Sequence, residues 1–152
     1  MTSSERTSGR LLAGHAYRLP TEAEREYACR AGTTTRFNYG DDPGYTQLGN
    51  YAWYGPNSDG TTHPVGLKQP NAWGLYDMHG NVFEWCLDFY GAYPGGSVTD
   101  PRGPAKNGYF RVHRGGLCNY YGLDCRSAVR GLNGPDQRSS FMGFRSVLAP
   151  GQ

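Results

Sequence analysis

Two thiols near the carboxyl end, Cys118 and Cys125, are the side chains of this chain best suited to redox or soft-metal chemistry. The other cysteines, Cys29 and Cys86, stand far from them, no pair forms a CxxC, and no histidine lies at zinc-ligand spacing from a pair. Free thiols are the default reading for a chain without an export signal, and a Cys118–Cys125 disulfide is the alternative in an oxidising setting. The same region offers a second chemistry, recognition. Tyr120, Tyr121 and Phe141 supply rigid, amphipathic contact area at low entropic cost. Asn119, Asn133, Ser139 and Ser140 add adaptable hydrogen bonds, and Leu117, Leu123 and Leu132 add apolar surface if they reach solvent.

Composition narrows what can hold these residues in place. Hydrophobic residues make up 37% and charged residues 18%, which excludes a disordered tail. No apolar run is long enough to span a bilayer, so no membrane insertion is expected. The first residues lack the apolar stretch of a signal peptide, which makes the cytoplasm the default compartment. With 23 glycines, 10 prolines and 12 tyrosines, the chain reads as a loop-rich fold with little regular structure. Residues 1–101 carry 7 basic and 11 acidic side chains, whereas residues 102–152 carry 8 and 2. The basic residues of the second half, such as Arg114, Arg126, Arg130 and Arg145, sit singly beside Gly, Ser or aromatic residues, so no nucleic-acid stripe is read from them.

The elements that must position the site are few. Residues 1–15 read as a flexible arm and residues 16–152 as one domain. Thr21 with Glu24 three positions on forms a capping-box pattern, which predicts a helix over Glu22–Ala31 that stops at Gly32. Residues 33–70 read as loop pinned by Tyr51, Trp53 and Tyr54. The segment 73–90, from Trp73 through Leu87, reads as the core around the turn His79-Gly80-Asn81. Strands are predicted at Tyr109–Arg114, near Cys125–Arg130, and at Gly143–Leu148.

Five blocks together carry a resemblance. They are Arg18–Ala28 (RLPTEAEREYA), Asn71–Cys86 (NAWGLYDMHGNVFEWC), Arg111–Gly116 (RVHRGG), Cys125–Arg130 (CRSAVR) and Gly143–Arg145 (GFR). In order and spacing they resemble the signatures of the formylglycine-generating-enzyme, or sulfatase-modifying-factor, family. The resemblance implies an α+β, C-type-lectin-like fold with sparse secondary structure. The family's usual portion ahead of the first block is absent, so a minimal version or a fragment is expected.

The resemblance also implies three sites. The family's oxidases use copper and two cysteines four residues apart to convert a substrate cysteine to formylglycine; here Cys118 stands two residues early, so oxidase chemistry at Cys118 and Cys125 is the alternative reading only. The family binds calcium at the positions of Asn81, the Val82 carbonyl and Glu84, which implies a structural calcium ion; the competing reading has Asn81 in a turn and Glu84 paired with an arginine. Departures from the family pattern concentrate at Leu117–Asp124, Gly131–Gly134 and Ser139–Phe141, within an intact frame. This resembles the variable protein of a diversity-generating retroelement, in which asparagine codons are mutagenised. The expectation is therefore a non-catalytic domain with no required cofactor; a structural or accessory homologue with no specific ligand is the further alternative. A protein or other macromolecule, not nucleic acid, would bind at Leu117, Cys118, Asn119, Tyr120, Tyr121, Leu123, Asp124, Gly131, Leu132, Asn133, Gly134, Ser139, Ser140 and Phe141.

Overall fold

In the computed structural model, which describes residues 14–104 and 108–150, the capping box sets the start of the single α-helix. Thr21 Oγ1 accepts from the Glu24 N–H at 3.1 Å, and Glu24 Oε2 accepts from the Thr21 N–H at 2.7 Å. Helix α1 spans Glu22–Arg30 and ends at Ala31, which takes a left-handed conformation (φ 47°) and donates its N–H to the Tyr27 carbonyl. Strand β1 (His15–Arg18) precedes it and includes His15, the last position of the expected arm; residues 1–13 of that expectation lie outside the described residues.

The remaining strands are β2 (Ala52–Trp53), β3 (His79–Gly80), β4 (Phe83–Phe89), β5 (Arg111–Arg114), β6 (Arg130–Asn133), β7 (Met142–Phe144) and β8 (Val147–Pro150). They form three small sheets: β1 antiparallel to β8, β2 parallel to β3, and a four-stranded sheet in the order β6-β5-β4-β7. In the last, β4 runs antiparallel to β5 and parallel to β7, and β5 is antiparallel to β6. Among the described residues, one α-helix with three sheets makes the α+β architecture expected.

The strand predictions need two corrections. The strand placed near Cys125–Arg130 starts only at Arg130, because Gly122–Cys125 closes into a 3-10 turn. The segment Gly143–Leu148 divides between two sheets: Arg145 leaves the ladder to bond Glu84 and the Tyr76 carbonyl, and the chain re-enters a sheet at Val147.

The core also lies elsewhere than expected. Its apolar cluster is Phe37, Leu48, Ala52, Tyr54 and Cys125, with Tyr39 and Tyr45 packed against it, so most of it comes from the stretch read as loop. In the segment 73–90, Met78 and Cys86 are buried, but Trp73, Tyr76 and Leu87 are exposed. Alternation along β4 explains the contrast between Cys86 and Leu87. Glu84, Cys86 and Asp88 point toward α1, whereas Phe83, Trp85, Leu87 and Phe89 point to the other face. The inner face is ionic as well as apolar. Buried Arg25 donates to Glu84 Oε2 at 2.6 Å, and Arg114 and Arg130 both pair with Glu22. Asp88 Oδ2 accepts the first free helical N–H, that of Glu22, at 2.8 Å.

Candidate functional site

The outer face of the four-stranded sheet is the surface on which the two proposed recognition stretches meet. Register places Gly131 of β6, His113 of β5, Trp85 of β4 and Phe144 of β7 in one row across it. The Phe83 ring packs against His113 with centroids 4.2 Å apart and meets Tyr120 edge-on at 5.5 Å. The Phe83 N–H donates to the Phe141 carbonyl at 3.0 Å. At the other end, Asn133 Nδ2 lies 3.7 Å from Met142 Sδ, and the Ser139 carbonyl accepts from the Met142 N–H. Phe83 and Met142 thus connect the loop at 119–124 with the segments around Asn133 and Ser139–Phe141.

Of the residues expected at this surface, Asn119, Tyr120, Tyr121, Leu123, Leu132, Ser139 and Ser140 are exposed, and Asp124, Gly131, Asn133 and Phe141 are half-buried. Tyr121 exposes 76% of its surface and Tyr120 44%. Leu132 pairs with Val112, so its side chain leaves the sheet on the side opposite Gly131 and Asn133.

Three expected residues do not belong to the surface. Leu117 and Cys118 are buried, because the Cys118 N–H donates to the Asn81 carbonyl at 3.0 Å and the Cys118 carbonyl accepts from Ser58 Oγ at 2.5 Å. Gly134 is buried too, and a Cβ there would stand 2.8 Å from the Tyr109 ring and from Asp136 Oδ1. Gly131 offers backbone only, since His113 occupies the space of any side chain. Conversely, reading by type assigned Phe83 and Trp85 to the core and left Phe144, 74% exposed, among the framework residues. Strict alternation along Phe83–Phe89 was the signal that would have placed the first two on the outer face.

The thiols do not form an open pair. Cys118 and Cys125 both expose 0% of their surface and are free rather than bridged. Burial pushes the Cys125 thiol up to about 12, and the charged neighbours that act on it are Asp124 and Cys29, not Cys118. Cys118 is likewise raised by burial. Both sulfurs are therefore held as thiols, the form that ligates copper poorly.

The calcium expectation meets a different obstacle. Glu84 Oε2 takes Arg25 and Arg145 Nε, and Oε1 takes Arg145 Nη2 at 2.9 Å, so both carboxylate oxygens already face guanidinium groups. Asn81, in a left-handed turn (φ 64°), exchanges both of its amide atoms with the His63 backbone. The Val82 carbonyl, the third expected ligand, lies 3.6 Å from where a Cβ on Gly115 would stand. At Glu84 two arginines supply positive charge of the kind that calcium would bring. Among the described residues, no group of three or more His, Cys, Asp or Glu side chains stands close enough to hold a metal.

A cleft of about 670 Å³ lies elsewhere, between α1 and the loop at 91–104. Glu22 pairs there with Arg114 and Arg130, and the Arg130 Nε is buried without a partner among the described residues. Among the described residues no helix is long and apolar enough to cross a membrane.

The chain is 40% identical over 147 residues to a formylglycine-generating enzyme of Streptomyces coelicolor, covering 84% of this chain and 45% of that one. It is 41% identical over 134 residues to the serine/threonine-protein kinase pkn1 of Chlamydia caviae, covering 84% and 20%. Among solved structures it superposes on Treponema denticola variable protein 1 with a TM-score of 0.79 and 42% identity, covering 86% and 46%. The chain thus spans less than half the length of each of these relatives. The model of the sulfatase-modifying factor enzyme 1-like domain matches residues 2–150, and the chain belongs to that family, with its C-type-lectin-like fold.

Proposed function

We propose that this domain is a non-catalytic recognition module. Its ligand is a protein bound by the outer sheet face through Asn119, Tyr120, Tyr121, Leu123, Asn133 and Ser139–Phe141. The observation that carries the reading is that the Tyr120 ring and the Phe141 main chain both meet Phe83, which brings two stretches distant in sequence together beside the exposed Tyr120 and Tyr121. Tyrosine-rich surfaces flanked by Asn and Ser are suited to protein contacts, because rigid rings lose little entropy and short polar groups adapt. Similarity to Treponema denticola variable protein 1 supports the same reading.

The identity shared with formylglycine-generating enzymes favours the rival reading, a copper-dependent oxidase acting on a substrate cysteine. The burial of Cys118 and Cys125 counts against it.

Selection of binders from a displayed protein or antibody-fragment library, followed by titration against the domain and its Tyr120→Ala/Tyr121→Ala/Phe141→Ala variant, tests the proposal. The expected result is at least a hundredfold loss of affinity, the scale of two or three aromatic hot-spot residues. Unchanged affinity across independent binders, or oxidation of a sulfatase-derived cysteine peptide that depends on Cys125, sinks it.

A further inference from the structure

The loop that follows α1 meets the run leading from the 3-10 turn into β6, and a cleft of about 420 Å³ opens between them. Its charged lining is nearly all of one sign: Arg30, Arg36, Arg126 and Arg130 against Asp41. Two of these arginines are matched within the fold, Arg30 by Glu26 and Arg130 by Glu22. Arg36 and Arg126 have no carboxylate partner among the described residues. Asp41 gives Oδ1 to the Arg36 main-chain N–H at 3.0 Å, not to a guanidinium.

Main-chain bonds bring the two unmatched arginines together. The Ser127 N–H donates to the Arg36 carbonyl at 2.9 Å, so the segments that carry Arg36 and Arg126 lie side by side although far apart in the sequence. Arg126 is also held at its root. Its Nε–H donates to the Leu123 carbonyl at 2.7 Å, which leaves Nη1 and Nη2 unspent among the described residues. Arg36 is exposed, and its hydrogen bonds among those residues are main-chain ones. Thr34, exposed at the same cleft, adds a hydroxyl. Like charges set side by side repel, so two unmatched guanidinium groups at one cleft cost stability unless an anion offsets them.

We infer that this cleft binds a phosphate monoester carried on a side chain of a partner polypeptide. Guanidinium forks meet phosphate oxygens bidentately, and a monoester near neutral pH carries about two negative charges on strongly accepting oxygens. Two forks and a hydroxyl offer more donors than the two oxygens of a carboxylate take up. The volume of the cleft leaves room for the ester's side chain and for the main chain on either side of it. Neither Tyr120 nor Tyr121 lines the cleft, so the site is independent of the aromatic face.

The test titrates the full chain with a blocked pentapeptide, phosphoserine flanked by alanines, and follows the amide shifts. The same peptide with serine, the same with aspartate, and inorganic phosphate are titrated in parallel. The phosphopeptide is expected to shift the amides of Thr34, Arg36 and Ala128 and to bind at least tenfold tighter than the aspartate peptide. Its affinity should fall at least tenfold in Arg36→Gln and in Arg126→Gln, weaken with added salt, and stay unchanged in Tyr120→Ala/Tyr121→Ala. Arg36 is exposed and its side chain bonds no described residue, so Arg36→Gln leaves folding intact and keeps the test decisive even where Arg126→Gln loosens the 3-10 turn. Absence of shifts, equal binding of the aspartate peptide, or affinity indifferent to Arg36→Gln overturns the inference. Inorganic phosphate bound as tightly as the phosphopeptide overturns the polypeptide as the source of the group.

Discussion

The His113 ring lies against the α-carbon of Gly131 so closely that a Cβ built on the glycine would stand 2.2 Å from His113 Cε1. Among the diversified-looking positions of β6, this one is therefore fixed, and its neighbours Leu132 and Asn133 are not. Gly131→Ala must displace a ring that is also held by Phe83 and Trp85. The expected cost is about 2–3 kcal/mol, the scale of overpacking a tight site. Leu132→Ala, at a site more than a third exposed, is expected to change stability by under about 1 kcal/mol. Urea unfolding of the two variants checks both numbers, and equal midpoints would show that the ring is free to move.

The same histidine gives the fold a pH dependence. Burial pushes His113 down to about 4, against a smaller opposing contribution from the Leu132 backbone, and its Nδ1 is buried without a partner. A histidine that is harder to protonate when folded binds fewer protons in the native than in the unfolded state between pH 6.5 and 4. Its contribution is thus fully present above about 6.5 and lost as pH falls toward 4. The loss is on the order of 2–3 kcal/mol. Unfolding midpoints measured from pH 7 to pH 4 should fall, and His113→Gln should flatten that slope while lowering the plateau. A variant whose slope matches the parent's would assign the pH dependence to other groups.

How legible this was in the sequence differs by element. Helix α1 was readable because its determinants are local: Thr21 and Glu24 cap each other within one turn. The aromatic tips Tyr120, Tyr121 and Phe141 were readable by residue type. The burial of Leu117 and Cys118 was not, because it depends on the Asn81 carbonyl and the Ser58 hydroxyl, partners more than thirty positions away. The division of the chain at Arg145 was hidden for the same reason, since Glu84 is 61 residues distant. Only the core in residues 33–70 had a local hint, the aromatic residues Phe37, Tyr45 and Tyr54 that pack together around Leu48.

Glu84 is expected to be structural rather than a calcium ligand. Its carboxylate is held low by Arg25 and Arg145 despite burial, and Arg25 is itself buried. Glu84→Gln leaves that guanidinium without its counter-charge, at an expected cost of about 3–5 kcal/mol. Millimolar calcium or a chelator is expected to leave the melting temperature unchanged to within about 1 °C, because a ligand that binds only the native state would raise it. A calcium-dependent rise in melting temperature that Glu84→Gln abolishes would restore the metal site.

The thiols provide the sharpest separation between a recognition module and an oxidase. All four cysteines are buried and free, and burial pushes Cys86 and Cys125 up to about 12. A thiolate is the reactive form, and access is the second requirement, so both conditions oppose reaction at Cys125 in the folded state. Native protein at pH 8 is expected to take up less than about one iodoacetamide in the time that guanidinium-unfolded protein takes up four. Copper(I) added to native protein should compete poorly with a soft chelator, since two thiols held protonated inside the fold must both ionise and approach to bind it. Rapid native labelling at both Cys118 and Cys125, or their joint protection by one equivalent of copper(I), would show that the pair opens to solvent. The aromatic face would then lie beside a working metal site.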